Sequence, residues 1–256
     1  MYVHGYSTYE ARRLSDQADT LADLLHAGTR FPAGSRVLEV GCGVGAQTVH
    51  LVANSPGTDL VAIDVSADSL EKARSRVTGV EFRQVDLFAL AAESFDHVFV
   101  CFVLEHLLDP VAALKAIRGV LRPGGTITVI EGDHDSAFFH PDSGYARAAV
   151  DCLVRLQAAG GGDGLIGRRL WPLLTDAGFD EVLVRPRTVY VDPSRPALVD
   201  GFTRNTFTAM IAAVRDDAIA AGLSTAADFD RGIADLRRTV EGTFHYTFFK
   251  GVAVNP

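Results

Sequence analysis

Apolar residues near the start of the chain recur at helical spacing. Ala11, Leu14, Ala18, Leu21, Leu24 and Leu25 predict a helix over residues 7–27, and Pro32 and Gly34 break the pattern. Short apolar runs follow, each bounded by turn residues, and predict strands at 36–40, 60–64, 80–84, 97–102 and 126–131. Helices are predicted between them at 46–54, from Ser66 through Leu70 and Ala73, and at 110–120. Ser66 stands where an N-cap belongs, and Arg122-Pro123-Gly124-Gly125 closes the third helix. Strand and helix thus alternate over 36–131, the pattern of a doubly wound parallel sheet.

Beyond residue 131 the periodicity is less regular. Residues 144–159 and 167–177 predict helices, ended by the glycine run at 160–164 and by Gly178. A sixth strand is predicted at 181–191, a mostly helical stretch at 196–240 and a last strand at 243–254. The chain is therefore expected to form one α/β domain over residues 1–256, built on a doubly wound, seven-stranded sheet. The core sheet takes about 34–131 with 166–191 and 243–256. Residues 1–30, 132–165 and 192–240 are expected to form a helical cap over the carboxyl edge of the sheet.

Composition narrows the functional classes. Hydrophobic residues make up 48% of the 256 and charged residues 22%, so the chain can build a packed core. Lys and Arg number 24 against 32 Asp and Glu, a net charge of -8, which argues against a nucleic-acid partner. The longest apolar run, 98–104, has the length of a buried strand and falls short of a membrane span. Residues 1–6 carry no basic segment followed by an apolar one, so a cytoplasmic protein is expected. Cys42, Cys101 and Cys152 are odd in number and far apart, which fits neither a disulfide framework nor a zinc site.

Candidate chemistry begins at Val37-Leu38-Glu39-Val40-Gly41-Cys42-Gly43-Val44-Gly45-Ala46. Alternate glycines after a buried strand let the backbone turn sharply and a ligand approach it closely. Gly41-x-Gly43-x-x-Ala46 also satisfies a relaxed dinucleotide-binding fingerprint, and a tight turn without a ligand is the plain alternative. Glu39 can meet an ammonium group or anchor the loop. Asp64 ends the second strand at the distance expected for a carboxylate on a ribose diol. Asp86 follows the third strand, where it can accept from an exocyclic adenine amine.

With these features the sequence resembles the class I S-adenosylmethionine-dependent methyltransferases of small-molecule type. The resemblance rests on the glycine loop with Glu39, on Asp64 and on Asp86-Leu87. It continues through Ser94-Phe95-Asp96-His97-Val98, Cys101-Phe102-Val103-Leu104-Glu105-His106 and Leu121-Arg122-Pro123-Gly124-Gly125. It implies a Rossmann-like, mostly parallel sheet of seven strands, the last antiparallel. It also implies S-adenosyl-L-methionine as cofactor and S-adenosyl-L-homocysteine as product. Glu39, Gly41, Gly43 and Gly45 would hold the methionine moiety, with Cys101 and Phe102 near it. Asp64 would take the ribose hydroxyls, Val65 would pack on adenine, and Asp86 and Leu87 would contact the adenine edge. Tyr6 and Gln17 would fold over the cofactor, the alternative being an ordinary amphipathic helix. The long 196–240 segment departs from the family, whose last two strands are often joined more tightly.

The acceptor end is expected after the fifth strand, at Glu131-Gly132-Asp133-His134-Asp135. His134 is the candidate general base, with His106 second, because an unperturbed imidazole titrates near neutrality. Asp133, Phe138, Arg204 and Asn205 are candidate substrate contacts. A metal at Asp133, His134, Asp135 and His140 is considered and set aside. The expected activity is methyl transfer to an oxygen or nitrogen of a small molecule, by a monomer or homodimer with neither nucleic-acid nor membrane partner. An NAD-dependent oxidoreductase and a non-catalytic, cofactor-binding partner protein are the alternatives.

Overall fold

A computed structural model describes residues 8–90 and 93–256, with side chains from residue 13 onward. The chain begins with α1 (Thr8–Leu25), then β1 (Arg36–Val40), α2 (Thr48–Asn54), β2 (Asp59–Asp64), α3 (Ala67–Arg76) and β3 (Glu81–Gln84). It continues with β4 (Phe95–Cys101), α4 (Pro110–Val120), β5 (Leu121–His140), α5 (Gly144–Ala159), α6 (Leu170–Asp176), β6 (Asp180–Val191) and β7 (Thr243–Val254). The seven strands form one sheet in the order β3-β2-β1-β4-β5-β7-β6. The first five are parallel, and β7 runs antiparallel to both of its neighbours.

Parallel strands are buried on both faces, and the apolar runs supply side chains to each. In β1 and β4, Leu38, Val40, Val98 and Val100 point to one face and pack with Ala113, Leu114 and Ile117 of α4. Val37 and Phe99 point to the other, where Leu21 and Leu25 of α1 cover them. Helix starts carry their own signals. Ser66 caps α3 by accepting from the Ser69 N–H, and Asp109 caps α4 ahead of Pro110.

β5 is much longer than the run 126–131 that its apolar residues predict. It continues through Asp133 and, after a register shift, pairs Phe138 with His245 and His140 with Thr243 of β7. Residues 132–140, expected in the cap, therefore prolong the sheet. A polar run reads as a loop in sequence, but here the fold engages its side chains. Asp133 binds Arg168 and His134 meets Tyr246.

The segment between β6 and β7 contains a ten-residue π-helix, Val199–Thr208, and a last helix, Ala226–Arg238. Two close approaches seat them. A Cβ on Gly201 would lie 2.1 Å from the Thr20 hydroxyl of α1, and one on Gly232 would lie 2.5 Å from the Tyr145 carbonyl of α5. Phe202 and Phe207 of the π-helix meet Phe244 and Tyr246 of β7 with ring centroids 4.8 to 5.8 Å apart.

Glu39 sits inside this frame, fully buried on β1, and accepts a hydrogen bond from the Thr48 hydroxyl of α2 at 2.6 Å. Burial raises its pKa from 4.5 to about 8; the Thr48 bond opposes the rise and Asp64 adds to it. Between those values the folded chain keeps a proton that the unfolded chain has shed. This group's contribution to stability is therefore full below 4.5 and is lost as pH rises through about 8. Thermal unfolding across that window is expected to show a decline that Glu39→Gln, neutral at every pH, reduces. An unchanged pH dependence in the folded variant would mean that the carboxyl is ionised throughout.

Candidate active site

The carboxyl ends of β1, β2 and β4 open into a cavity of about 440 Å³, where ligands bind in open α/β sheets. The glycine loop forms its floor. Gly41, Gly43 and Gly45 all have positive φ, +69°, +52° and +76°, but for different surroundings. A Cβ on Gly41 would strike the Val103 side chain at 2.5 Å, and one on Gly45 would press on the Ala73 backbone at 3.2 Å. One on Gly43 would meet nothing within 4 Å, so only Gly43 leaves room above it. Gly45 is not part of the cavity lining; it lets the loop close on α3.

Hydrogen bonds fix the loop to β2. The N–H groups of Gly41 and Cys42 donate to the Ile63 carbonyl at 2.9 and 3.0 Å. The Gly43 N–H donates to Asp64 Oδ2 and the Ser66 N–H to Asp64 Oδ1, each at 2.8 Å. Asp64 is thereby oriented at the cavity wall with lone pairs left for a ligand. Val65 stands exposed beside it, and Asp86 and Leu87 line the next part of the wall. The Asp86 carboxylate accepts from the Phe88 N–H at 2.9 Å.

Cys101 and Phe102 line the opposite side. Phe102 has φ +58°, left-handed backbone that a non-glycine residue rarely adopts, and its N–H donates to the Ile130 carbonyl at 2.9 Å. The turn after it is held by Glu131, whose Oε1 accepts from the N–H groups of Val103 and Leu104 at 3.0 and 2.8 Å. Burial, reinforced by Glu105, pushes the Glu131 carboxyl well above the usual range. Burial also pushes the thiols of Cys42 and Cys101 up, so both stay protonated.

The inner end of the cavity gathers Glu105, His106, Gly132, His134 and Tyr246 below Phe202, Thr206, Phe207 and Met210. His134 is buried and its pKa is lowered, chiefly by desolvation. Its Nδ1 lies 2.9 Å from the Tyr246 hydroxyl and its Nε2 3.7 Å from Glu105 Oε2. His106 closes the one-turn helix Leu104–His106, with its Nε2 3.7 Å from Glu105 Oε1. Gln17 lines the α1 side and accepts from Arg13 at 3.2 Å.

Several expected contacts lie elsewhere. Glu39 is covered by the loop and held by Thr48, which leaves it the anchoring role and removes it from the cavity wall. Asp133 is engaged by Arg168 through two bonds of 2.7 Å, and Asp135 by the same guanidinium at 3.2 Å. Phe138 is exposed and stacks on His245 at 4.0 Å, because the prolonged β5 turns it outward. Arg204 and Asn205 are exposed as well, and Arg204 pairs with Asp200 at 2.5 Å. The winding of the π-helix gives the inner face to Phe202, Thr206 and Phe207 instead. Tyr6 lies outside the described residues. Among the described residues, no group of three or more His, Cys, Asp or Glu side chains is arranged to hold a metal, and no helix is long and apolar enough to cross a membrane.

Arg13, Glu105, Thr206 and Tyr246 were not singled out by sequence. Glu105 is adjacent to His106 and could have been weighed with it. Tyr246 has no local signal, since its partner His134 is 112 residues away.

Comparison with known proteins adds to this geometry. A family profile described as a methyltransferase domain matches residues 38–127. An uncharacterized 37.1 kDa protein in transposon TN4556 of Streptomyces fradiae is 37% identical over 185 residues, 68% of this chain and 52% of that protein. The chain thus spans about half the length of that relative. A trans-aconitate 2-methyltransferase of Methylobacterium radiotolerans is 28% identical over 199 residues, 75% of this chain and 70% of that one. The fold also matches phosphoethanolamine N-methyltransferase 2 of Haemonchus contortus in complex with S-adenosyl-L-methionine. That match has a TM-score of 0.57 at 16% identity, over 93% of this chain and 52% of that one. The profile spans β1 through the start of β5, the same stretch that builds the loop, Asp64 and the cavity wall. Over residues 38–127 the chain carries the sequence pattern of a methyltransferase domain.

Proposed function

We propose that the protein transfers a methyl group from S-adenosylmethionine to an oxygen or nitrogen atom of a small molecule. The observation that carries this reading is the pairing of Gly43 with Asp64, an open backbone floor beside an oriented carboxylate. The residues present fit the cofactor. Asp64 would accept from the ribose hydroxyls, Val65 would pack on adenine, and Asp86 and Leu87 would meet its edge. Cys101 and Phe102 would lie along the methionine portion. When bound, the cofactor supplies a methyl group already activated on a sulfonium.

The chain's own task is to align the acceptor and, where needed, to take up a proton. One cavity is lined both by Gly43 and Asp64 and by Glu105, His106 and His134, so an acceptor at its inner end would face the cofactor. The aromatic and aliphatic side chains of Phe202, Phe207, Met210 and Phe248 favour an acceptor with an apolar body. An antiparallel β7 between β5 and β6 does not belong to the parallel six-stranded dinucleotide-binding order, which weighs against a nicotinamide cofactor. A larger thermal shift with S-adenosylhomocysteine than with NADH is the expected result, and the reverse order would sink the reading.

Asp64→Ala is expected to weaken S-adenosylhomocysteine binding at least about a hundredfold by calorimetry. Two charge-assisted bonds of roughly 1.5–3 kcal/mol each would be lost. Unchanged affinity in the folded variant would defeat the ribose assignment. Gly43→Val is expected to abolish binding while the chain stays largely folded, because a branched side chain at this position would rise into the cavity from left-handed backbone. Normal affinity there would show that the loop is not the cradle.

A further inference from the structure

Two glutamines line the cavity from the α1 side, and the protein engages the carbonyl oxygen of each. Gln17 Oε1 accepts from the Arg13 guanidinium at 3.2 Å. Gln47 Oε1 lies 2.7 Å from His26 Nε2. Both glutamines belong to the cavity lining, whereas His26 does not. Packing brings them to one wall. Ala18, next to Gln17 on α1, clusters with Val44 and with Ala46, the neighbour of Gln47 in the glycine loop.

A carboxamide has an acceptor end and a donor end. For Gln17 the direction is forced, because a guanidinium only donates. For Gln47 it depends on His26. That ring is buried and stacked on Phe99 at 5.4 Å. Burial lowers its pKa to about 4, against the opposing bond to Gln47, so the ring is uncharged at neutral pH. One nitrogen of a neutral imidazole bears hydrogen and the other is bare. Nδ1 is buried and has no hydrogen-bond partner among the described residues. With hydrogen on Nε2, the ring donates to Gln47 and the orphan is a bare lone pair. With hydrogen on Nδ1, the orphan is a buried N–H, the rarer kind in folded proteins. His26 therefore donates and Gln47 Oε1 accepts.

Both amide nitrogens are left over. Among the described residues, none accepts a hydrogen bond from Gln17 Nε2 or Gln47 Nε2. The surrounding charge suits an anion. Arg13 is buried beside Gln17, and its charge is felt as far as His134, whose pKa it helps to lower after desolvation. Glu39, bonded to Thr48 next to Gln47, has its pKa raised by burial to about 8, which favours its neutral form. Two carboxamide donors beside a guanidinium match the two oxygens of a carboxylate.

We propose that this wall is a carboxylate-binding subsite in which the amide N–H groups of Gln17 and Gln47 donate to the anion, and that His26 is a positioning residue that turns Gln47 toward it. The carboxylate has two sources. One is the amino-acid end of the cofactor, and this source rests on the methyl-transfer reading above. The other is an acid group on the acceptor.

Calorimetry separates the two. S-adenosylhomocysteine carries the carboxylate, and methylthioadenosine keeps the adenosine and the sulfur without it. Gln47→Glu sets a second carboxylate against the first. It is expected to weaken S-adenosylhomocysteine at least about tenfold while methylthioadenosine changes by less than about twofold. Gln47→Met, which removes the donors at similar length, takes its place should the acidic variant not fold. His26→Phe keeps a ring against Phe99 and loses the donor. It is expected to narrow the preference for S-adenosylhomocysteine over methylthioadenosine by about threefold or more.

Benzoate titrated into the S-adenosylhomocysteine complex reads the other source. Weaker benzoate binding in Gln47→Glu, with both nucleosides unchanged, assigns the subsite to the acceptor. Equal weakening of S-adenosylhomocysteine and methylthioadenosine would make Gln47 a mere support of the loop and overturn the subsite, as would unchanged binding of all three probes. A His26→Phe chain that melts earlier with the preference intact would overturn the positioning role. Should the wild-type chain bind neither nucleoside, the methyl-transfer reading falls. Benzoate binding to the free chain that Gln47→Glu weakens would then still support the subsite, and the lack of it would overturn the subsite as well.

Discussion

Two backbone N–H groups, those of Gly43 and Ser66, converge on the Asp64 carboxylate, and the shape of the cavity depends on that convergence. One bond holds the glycine loop down against β2. The other starts the turn into α3, where Ser66 takes over as N-cap. A parallel sheet sends its chain out at the carboxyl edge after every strand, so loops accumulate there without pairing partners of their own. Here a side chain at the end of one strand supplies the missing acceptor for the loop of its neighbour. The same atoms that stabilise the loop therefore aim a carboxylate into the cavity.

Beneath the cavity burial shifts several polar groups toward their uncharged forms. Burial raises the carboxyls of Glu39 and Glu131 and the thiols of Cys42 and Cys101 and lowers His134, in each case favouring the neutral form. Three of them are placed by hydrogen bonds: Glu39 by Thr48, Glu131 by the N–H groups after β4, His134 by Tyr246. An interior arranged in this way avoids the large cost of isolated buried charge. It also leaves the carboxylates of Asp64 and Asp86 at the cavity wall to act on whatever binds there.

The first half of the fold was legible because its signals are local. Apolar runs set the strands, Ser66 and Asp109 cap the helices that follow, and carboxylates at strand ends fall on one edge by topology alone. Asp64 and Gly43 could be placed at that edge for that reason. What was missed depends on contacts far apart in sequence. The extension of β5 needs β7 as its partner, and its polar residues need Arg168 and Tyr246 before they can occupy a strand. Glu39 has the right spacing to meet a ligand, yet spacing does not reveal that Thr48 and the loop cover it. Arg204 and Asn205 were expected to contact substrate, but both are exposed on the π-helix.

That π-helix gives the inner wall an unusual freedom to change. It is pinned to α1 near its start, where Gly201 leaves no room for a side chain against Thr20. After that pin, winding and the packing of Phe202 and Phe207 on β7 set which residues face inward. An ordinary helix advances about 100° per residue, so removing a single residue here would carry the downstream faces roughly that far around the axis. Thr206, Phe207 and Met210 would leave the wall together, and the residues now turned to water would replace them. Drift in chain length at this one segment can therefore exchange this part of the cavity wall in a single event, while the glycine loop and its carboxylate are untouched.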